Sequence, residues 1–333
     1  AATYSDPTLI DPENCIDLTK QVVADPATKE ETLNWTAPDD GDYILYSLWQ
    51  QGSFQSASPS QKPAYTINYF DIAGVEGIKD FLSSYIFADQ ELVETIRKSD
   101  VQFFMDSLEI GTSQGDSMFW AHDMADEFKA RKGYDIRPYL PLFIGTTNRW
   151  SVEYADAMGK YCLSDTADEN GMELTRKIRN DLYDVYTQLI QEEMMQPLKE
   201  WAMENYGMKL RAQISYGSWL EISEMGMSVD YPETETLNQK DQIDIFRLWS
   251  GLTHIQNQTL SSETGAIGSM NYALSEQDLL RMSYIQYAAG VSRIIWHGHS
   301  SSWGPEASIS WPGYEGMFSF IAGRLDVREP NSK

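Results

Sequence analysis

Three glutamates stand at the ends of β-forming runs. Glu109 closes VQFFMDSLE, Glu233 lies in Asp230-Tyr-Pro-Glu233-Thr-Glu235, and Glu263 lies in TLSSET. Carboxylates on different strand ends can face one another across a cleft. One then stays protonated and gives its proton to a leaving oxygen, while the other acts on water or on carbon. Partial desolvation at the end of an apolar strand raises a carboxyl pKa, and so does a neighbouring carboxylate. The chain holds 50 Asp and Glu, so chance alone puts some at strand ends. Three separate strand ends single out Glu109, Glu233 and Glu263. Asp106 and Asp230 read better as structural hydrogen-bond acceptors, although Asp106 also suits a substrate contact.

Other groups extend this set. Arg211 and Gln213 alternate within an otherwise apolar run, which puts both on one face, expected to point into a cleft. His297 and His299 either bind a substrate hydroxyl or pack, and neither has metal-ligand companions. Trp303 is one of several aromatics in Gly/Pro-rich stretches that could stack on a sugar ring or simply fill space. The run 230–235 holds three carboxylates in six residues, a density that suits hard-oxygen Ca²⁺ coordination. Spacing alone favours a solvated loop there. Gly-x-Ser-x-Gly is absent, and no Gly-rich phosphate loop follows a strand.

For these groups to meet, the strands carrying them must run parallel. Seven runs read as strands: 43–49, 65–71, 101–109, 209–215, 227–230, 259–264 and 293–300. Helical periodicity covers 75–97, 123–132, 173–206, 239–252 and 276–289. Gly133, Gly207 and Gly290 stop three of these helices, and Pro197 predicts a kink or division in the longest. Strands alternating with helices imply parallel βα units. The expected fold class is α/β, a (β/α)8 TIM-type barrel with its chemistry at the C-terminal strand ends. Only seven strands are counted where eight are needed, so the barrel reads as incomplete or one strand as miscounted. The expected organisation is an extended leading segment over 1–40 and a barrel over 41–333, with a long excursion at 111–170 after the third strand.

Composition removes other classes. Apolar residues make up 42% of 333 and charged residues 23%, enough for a full core. A net charge of −25 argues against nucleic acid or an anionic membrane as partner. No run of AVILMFWYC residues exceeds four, so no apolar membrane span is expected. Cys15 and Cys162 exclude zinc clusters and CxxC redox motifs, leaving either one disulfide or two buried thiols. Sequons at Asn34 and Asn257 favour secretion only weakly. Ten Trp, 19 Tyr and 12 Phe in an acidic chain fit an extracellular carbohydrate enzyme.

Several longer stretches then carry a resemblance. They are PDDGDYILYSLW (38–49), FFMDSLEIG (103–111), DEFKARKGYDIRPYLP (126–141), RKIRNDLYDVYTQLIQEEMMQPLKEWA (176–202), LRAQISYG (210–217), DYPETETL (230–237), SSETG (261–265) and the HGHSSSW…WPGYEGM region (297–317). In this order they resemble the catalytic domain of glycoside hydrolase family 106, the α-L-rhamnosidases. The resemblance implies a (β/α)8 barrel, an inverting and calcium-assisted mechanism, and release of terminal rhamnose from plant polysaccharides or glycosides. It puts Glu109, Glu233 and Glu263 in the active centre, with Glu109 and Glu263 as the catalytic pair. Glu233 and Glu235 then lie nearer calcium or sugar. It also implies flanking β-rich domains in a longer chain, and a secreted or periplasmic location. Two other readings stay open: a non-catalytic carbohydrate-binding relative, and a barrel glycosidase for a different sugar.

Overall fold

The computed structural model describes residues 7–57, 64–111, 118–121, 123–145, 159–163, 172–215, 219–239, 242–266 and 275–297. The chain forms two compact units: residues 1–66 with 111–185, and residues 67–110 with 186–333.

The second unit is built on five parallel strands. They are β1 (Gln102–Met105), β2 (Lys209–Ala212), β3 (Tyr231–Glu235), β4 (Ser261–Thr264) and β5 (Arg293–Trp296). Their spatial order is β5-β4-β3-β2-β1, so each strand lies beside its neighbour in sequence. Helices between them return the chain to the starting edge, as parallel pairing requires. Ile243–Gln256 lies between β3 and β4, and Glu276–Ala289 between β4 and β5.

Side chains alternate across this sheet. Phe103 packs outward on a cluster of Phe87, Val93, Ala202, Tyr206 and Met208, supplied largely by the helices Gln90–Lys98 and Gln196–Tyr206. Leu210, Ala212 and Ile214 are fully buried. The opposite face is polar and concave. At its base the Arg293 guanidinium donates to Gln102 Oε1 at 3.1 Å, linking the first residues of the strand order's two ends, β5 and β1. A flat sheet would hold those ends four strand spacings apart, roughly 19 Å. The sheet is therefore curled into a half-barrel, and this is the part of the expected barrel that is seen.

Several expected elements shift. Residues 43–49 have no regular structure, and Ile44, Leu45, Leu48 and Trp49 are exposed. Their β-propensity is not realised because propensity expresses packing on a paired surface. Of 65–71 only Tyr65 is in a strand, a two-residue pairing of Ala64–Tyr65 with Ser56–Ala57. Asp71 then caps the helix Ile72–Phe81 by accepting from Ala73 N at 2.9 Å. The expected helix 75–97 is divided, because Asp89 accepts from Glu91 N and Leu92 N and starts the second helix. The run 227–230 is not a strand: Gly226–Ser228 is a 3₁₀ turn and pairing begins at Tyr231. The strands expected at 101–109, 209–215 and 259–264 shrink to β1, β2 and β4, and β5 ends at Trp296. The helix expected at 239–252 runs instead over Ile243–Gln256, ending at Asn257 in the left-handed conformation. The longest helical stretch divides as expected, through a π-helical turn (Ile190–Met195) that meets Gln196–Tyr206 at Pro197.

In the first unit Thr8–Ile10 pairs in parallel with Tyr161–Leu163, and Val22–Ala24 forms a hairpin with Glu31–Leu33. Its interior holds the buried Arg179, which donates to the Leu142 carbonyl at 2.9 Å and the Tyr161 carbonyl at 3.1 Å. The Pro-containing run Arg137–Phe143 forms a 3₁₀ helix. Cys15 and Cys162 are free thiols. No helix among the described residues is long and apolar enough to cross a membrane.

Candidate active site

The concave face of the half-barrel collects the groups with chemistry. Register places Glu233 beside Ser261 and Glu235 beside Glu263 on adjacent strands. Alternation within β3 and β4 keeps Glu233, Glu235, Ser261 and Glu263 on one face. Gln213 follows β2 directly, and its backbone N–H still donates to the Met105 carbonyl at 3.1 Å, so the strand geometry carries through it.

Gln213 is the hub. Its amide nitrogen donates to Glu263 Oε2 at 2.5 Å and to Glu233 Oε1 at 3.4 Å. Glu233 is 1% exposed and has partners on both oxygens. Ser261 Oγ donates to its Oε2 at 2.7 Å, and Arg211 Nη1 lies 3.4 Å from the same oxygen. Phe104 supports Arg211 from the other side, with the guanidinium carbon 4.3 Å from the ring centroid. Charge-assisted bonds of this kind compensate a carboxylate for lost water.

Glu263 is less enclosed and electrostatically different. His297 Nε2 lies 3.7 Å from its Oε1. Burial pushes its carboxyl above the ordinary glutamate range. The Gln213 hydrogen bond opposes that rise, Asp106 and Glu233 reinforce it, and Arg211 opposes it. A carboxyl in this setting holds its proton to higher pH than a solvated one.

The structure unites Arg211, Gln213, Glu233, Glu263 and His297, with Asp106 near enough to act on Glu263 through its charge. Glu235 is buried at the end of β3. Glu109 lies four residues beyond β1 and is exposed between the buried Leu108 and Ile110, with turn-like contacts such as Glu109 N to Ser107 O at 2.9 Å. His299 and Trp303 lie outside the described residues. Asp230 accepts from Leu210 N at 2.8 Å and pairs with Lys199 at 3.4 Å, a structural use. Ser261 and Phe104 were not singled out from sequence. The signal was there, since Ser261 stands two residues before Glu263 and Phe104 two before Asp106, the spacing that shares a strand face.

Among the described residues no group of three or more His, Cys, Asp or Glu is arranged to hold a metal. Glu233, expected near calcium, faces nitrogen and hydroxyl donors on both oxygens and does not fit a calcium ligand.

A parallel half-barrel with acids clustered on its concave face is an architecture on which paired-carboxylate hydrolysis can be built. The sequence model of Glyco_hydro_106, alpha-L-rhamnosidase, matches residues 1–319, nearly the whole chain. The chain belongs to that family and is a glycoside hydrolase, α-L-rhamnosidase-like. No curated protein matches it.

Proposed function

We propose that this protein releases terminal α-L-rhamnose from plant polysaccharides or glycosides by inverting hydrolysis. The observation that carries the reading is Glu263, a partly buried carboxyl among further acids in a chain of the rhamnosidase family. Its raised pKa suits the general acid, which must be protonated before it donates to the leaving oxygen. Glu233 is a poor partner for it. The shared Gln213 nitrogen holds their nearest oxygens within about 6 Å, whereas an inverting pair stands roughly 6.5–9.5 Å apart to admit water. Both Glu233 oxygens are also engaged, one by Gln213 and the other by Ser261 and Arg211, so neither is free to activate water. Glu109, exposed beyond the C-terminal end of β1, is the general base in this reading.

Rhamnose release by the full protein, with the anomer of the first product read by NMR, tests the reading. Inversion and a loss of at least about 10²-fold in kcat for both Glu109→Gln and Glu263→Gln are expected. The two losses should differ with the leaving group. A nitrophenolate leaves without protonation, so Glu263→Gln should be milder on a nitrophenyl than on an alkyl rhamnoside, while Glu109→Gln should be equally severe on both. Near wild-type rates in both variants, or a retained anomer, would overturn the assignment. Calcium assistance stays part of the reading with ligands other than Glu233, and no step above runs through the ion. Exhaustive chelation should then lower kcat, and added Ca²⁺ should restore it.

A further inference from the structure

Gln213 is 2% exposed, yet its side-chain oxygen has no hydrogen-bond partner among the described residues. Its nitrogen, by contrast, is committed to Glu263 at 2.5 Å and Glu233 at 3.4 Å. An ionised carboxylate only accepts, so the nitrogen end must face these two groups. Turning the amide over would set its oxygen against two carboxylate oxygens. A proton on Glu263 preserves this orientation when it sits on Oε1, the oxygen 3.7 Å from His297, which leaves Oε2 to accept from Gln213. On Oε2 it would donate to the amide oxygen instead. Glu233 cannot swing away, because Ser261 and Arg211 hold its other oxygen. With the proton on Oε1 the amide orientation is fixed, and a buried acceptor is left open. Buried polar groups without partners are rare in proteins, and one beside a reacting carboxyl points to a ligand that completes it.

A second open atom lies on the same face. Arg211 Nε is buried and also lacks a hydrogen-bond partner among the described residues. Residues 211 and 213 are two apart along one strand, so their Cα atoms are roughly 7 Å apart and both side chains rise from the concave wall. A polyhydroxylated ring presents both donors and acceptors over such a span.

We propose that Gln213 is a specificity-determining residue for the glycoside: its side-chain oxygen, locked by Glu233 and Glu263, accepts a hydrogen bond from one hydroxyl of the terminal sugar. Glu233 is the positioning residue that keeps the acceptor turned toward the substrate. The proposal rests on the rhamnoside reading above and adds to it which atom selects the sugar.

The test compares nitrophenyl α-L-rhamnoside with its 2-, 3- and 4-deoxy analogues on the full protein. Sites built around a substrate hydroxyl discriminate strongly against the analogue lacking it, so in the wild type one analogue should lose at least about 10-fold more kcat/KM than the other two. In Gln213→Leu that one preference should fall to within about 3-fold of unity, the other two staying as they were. Glu233→Gln lets the amide turn, so the same preference should weaken without vanishing. If Gln213→Leu does not fold, Gln213→Asn keeps the amide but withdraws it, and should erode the same preference. A uniform loss on all four substrates, or an unchanged pattern, overturns the proposal, as does an oxygen satisfied only by water. A wild type inert on every rhamnoside sinks the rhamnoside reading alone. Saturation-transfer NMR with a panel of free monosaccharides then decides the role of Gln213. One sugar should lose contact at a single ring position in Gln213→Leu, and binding that is absent or indifferent to Gln213 overturns it.

Discussion

Glu263 carries a linkage between chemistry and stability. Its carboxyl titrates higher in the fold than in the unfolded chain, chiefly because burial penalises the charge. Its contribution is therefore fully present below the ordinary value of 4.5 and is lost as pH rises through the higher value held in the fold. Gln at this position never ionises. The Tm of Glu263→Gln should gain on wild type as pH rises from about 4 to about 8, while its activity stays low. A Tm difference that is constant or shrinks over that range would mean that burial does not act on Glu263 as described. The same ionisation should set the alkaline limb of kcat for wild type, since the deprotonated acid cannot donate.

The elements around the site depend on close approaches that sequence periodicity does not reveal. Gly74, in the first turn of Ile72–Phe81, leaves no room for a Cβ, which would run into the Asn68 carbonyl oxygen. Two effects oppose each other in Gly74→Ala. Helix propensity favours alanine by about 1 kcal/mol. The clash is with backbone that cannot rotate away, and overpacking of this kind costs about 1–3 kcal/mol. The clash should win, and urea unfolding should show a net loss of stability. A gain would mean that the Asn68 turn yields easily. Much of this architecture was legible in the sequence. Glycine stops at 133, 207 and 290 all adopt positive φ, and the division at Pro197 is seen. Strand ends were harder, because Tyr-Pro-Glu-Thr-Glu has little β-propensity and pairs only through tertiary contact with β2 and β4. The reverse error occurred at 43–49, where strong propensity found no paired edge. The face shared by Arg211 and Gln213 followed from alternation, but the lock between Gln213 and two glutamates depends on register, which one strand read alone does not contain.

At the level of the second unit, the sheet is fastened at its base and works at its rim. Arg293 and Gln102 join β5 to β1 at the strand starts, and the Arg293 guanidinium also lies 5.5 Å from the centre of the Tyr231 ring. His297, four residues further along, is roughly 13 Å nearer the C-terminal end. Arg293→Met should therefore cost stability, about 1.5–3 kcal/mol for a lost charged hydrogen bond, and leave KM for a nitrophenyl rhamnoside within about 2-fold. A KM change with unaltered stability would put the base of the sheet in the site itself.

Arg179 gives the first unit an order of completion. The carbonyls it satisfies, at Leu142 and Tyr161, precede it by 37 and 18 residues. On the ribosome those segments emerge first and must wait, hydrated, for the helix Met172–Leu189 to deliver the guanidinium that replaces their water. The second unit waits longer, since β1 is synthesised more than a hundred residues before β2, the strand that pairs with it. Neither unit can close on the growing chain until nearly everything between has been made, so a nascent protein of this design spends much of its synthesis with a bare strand edge.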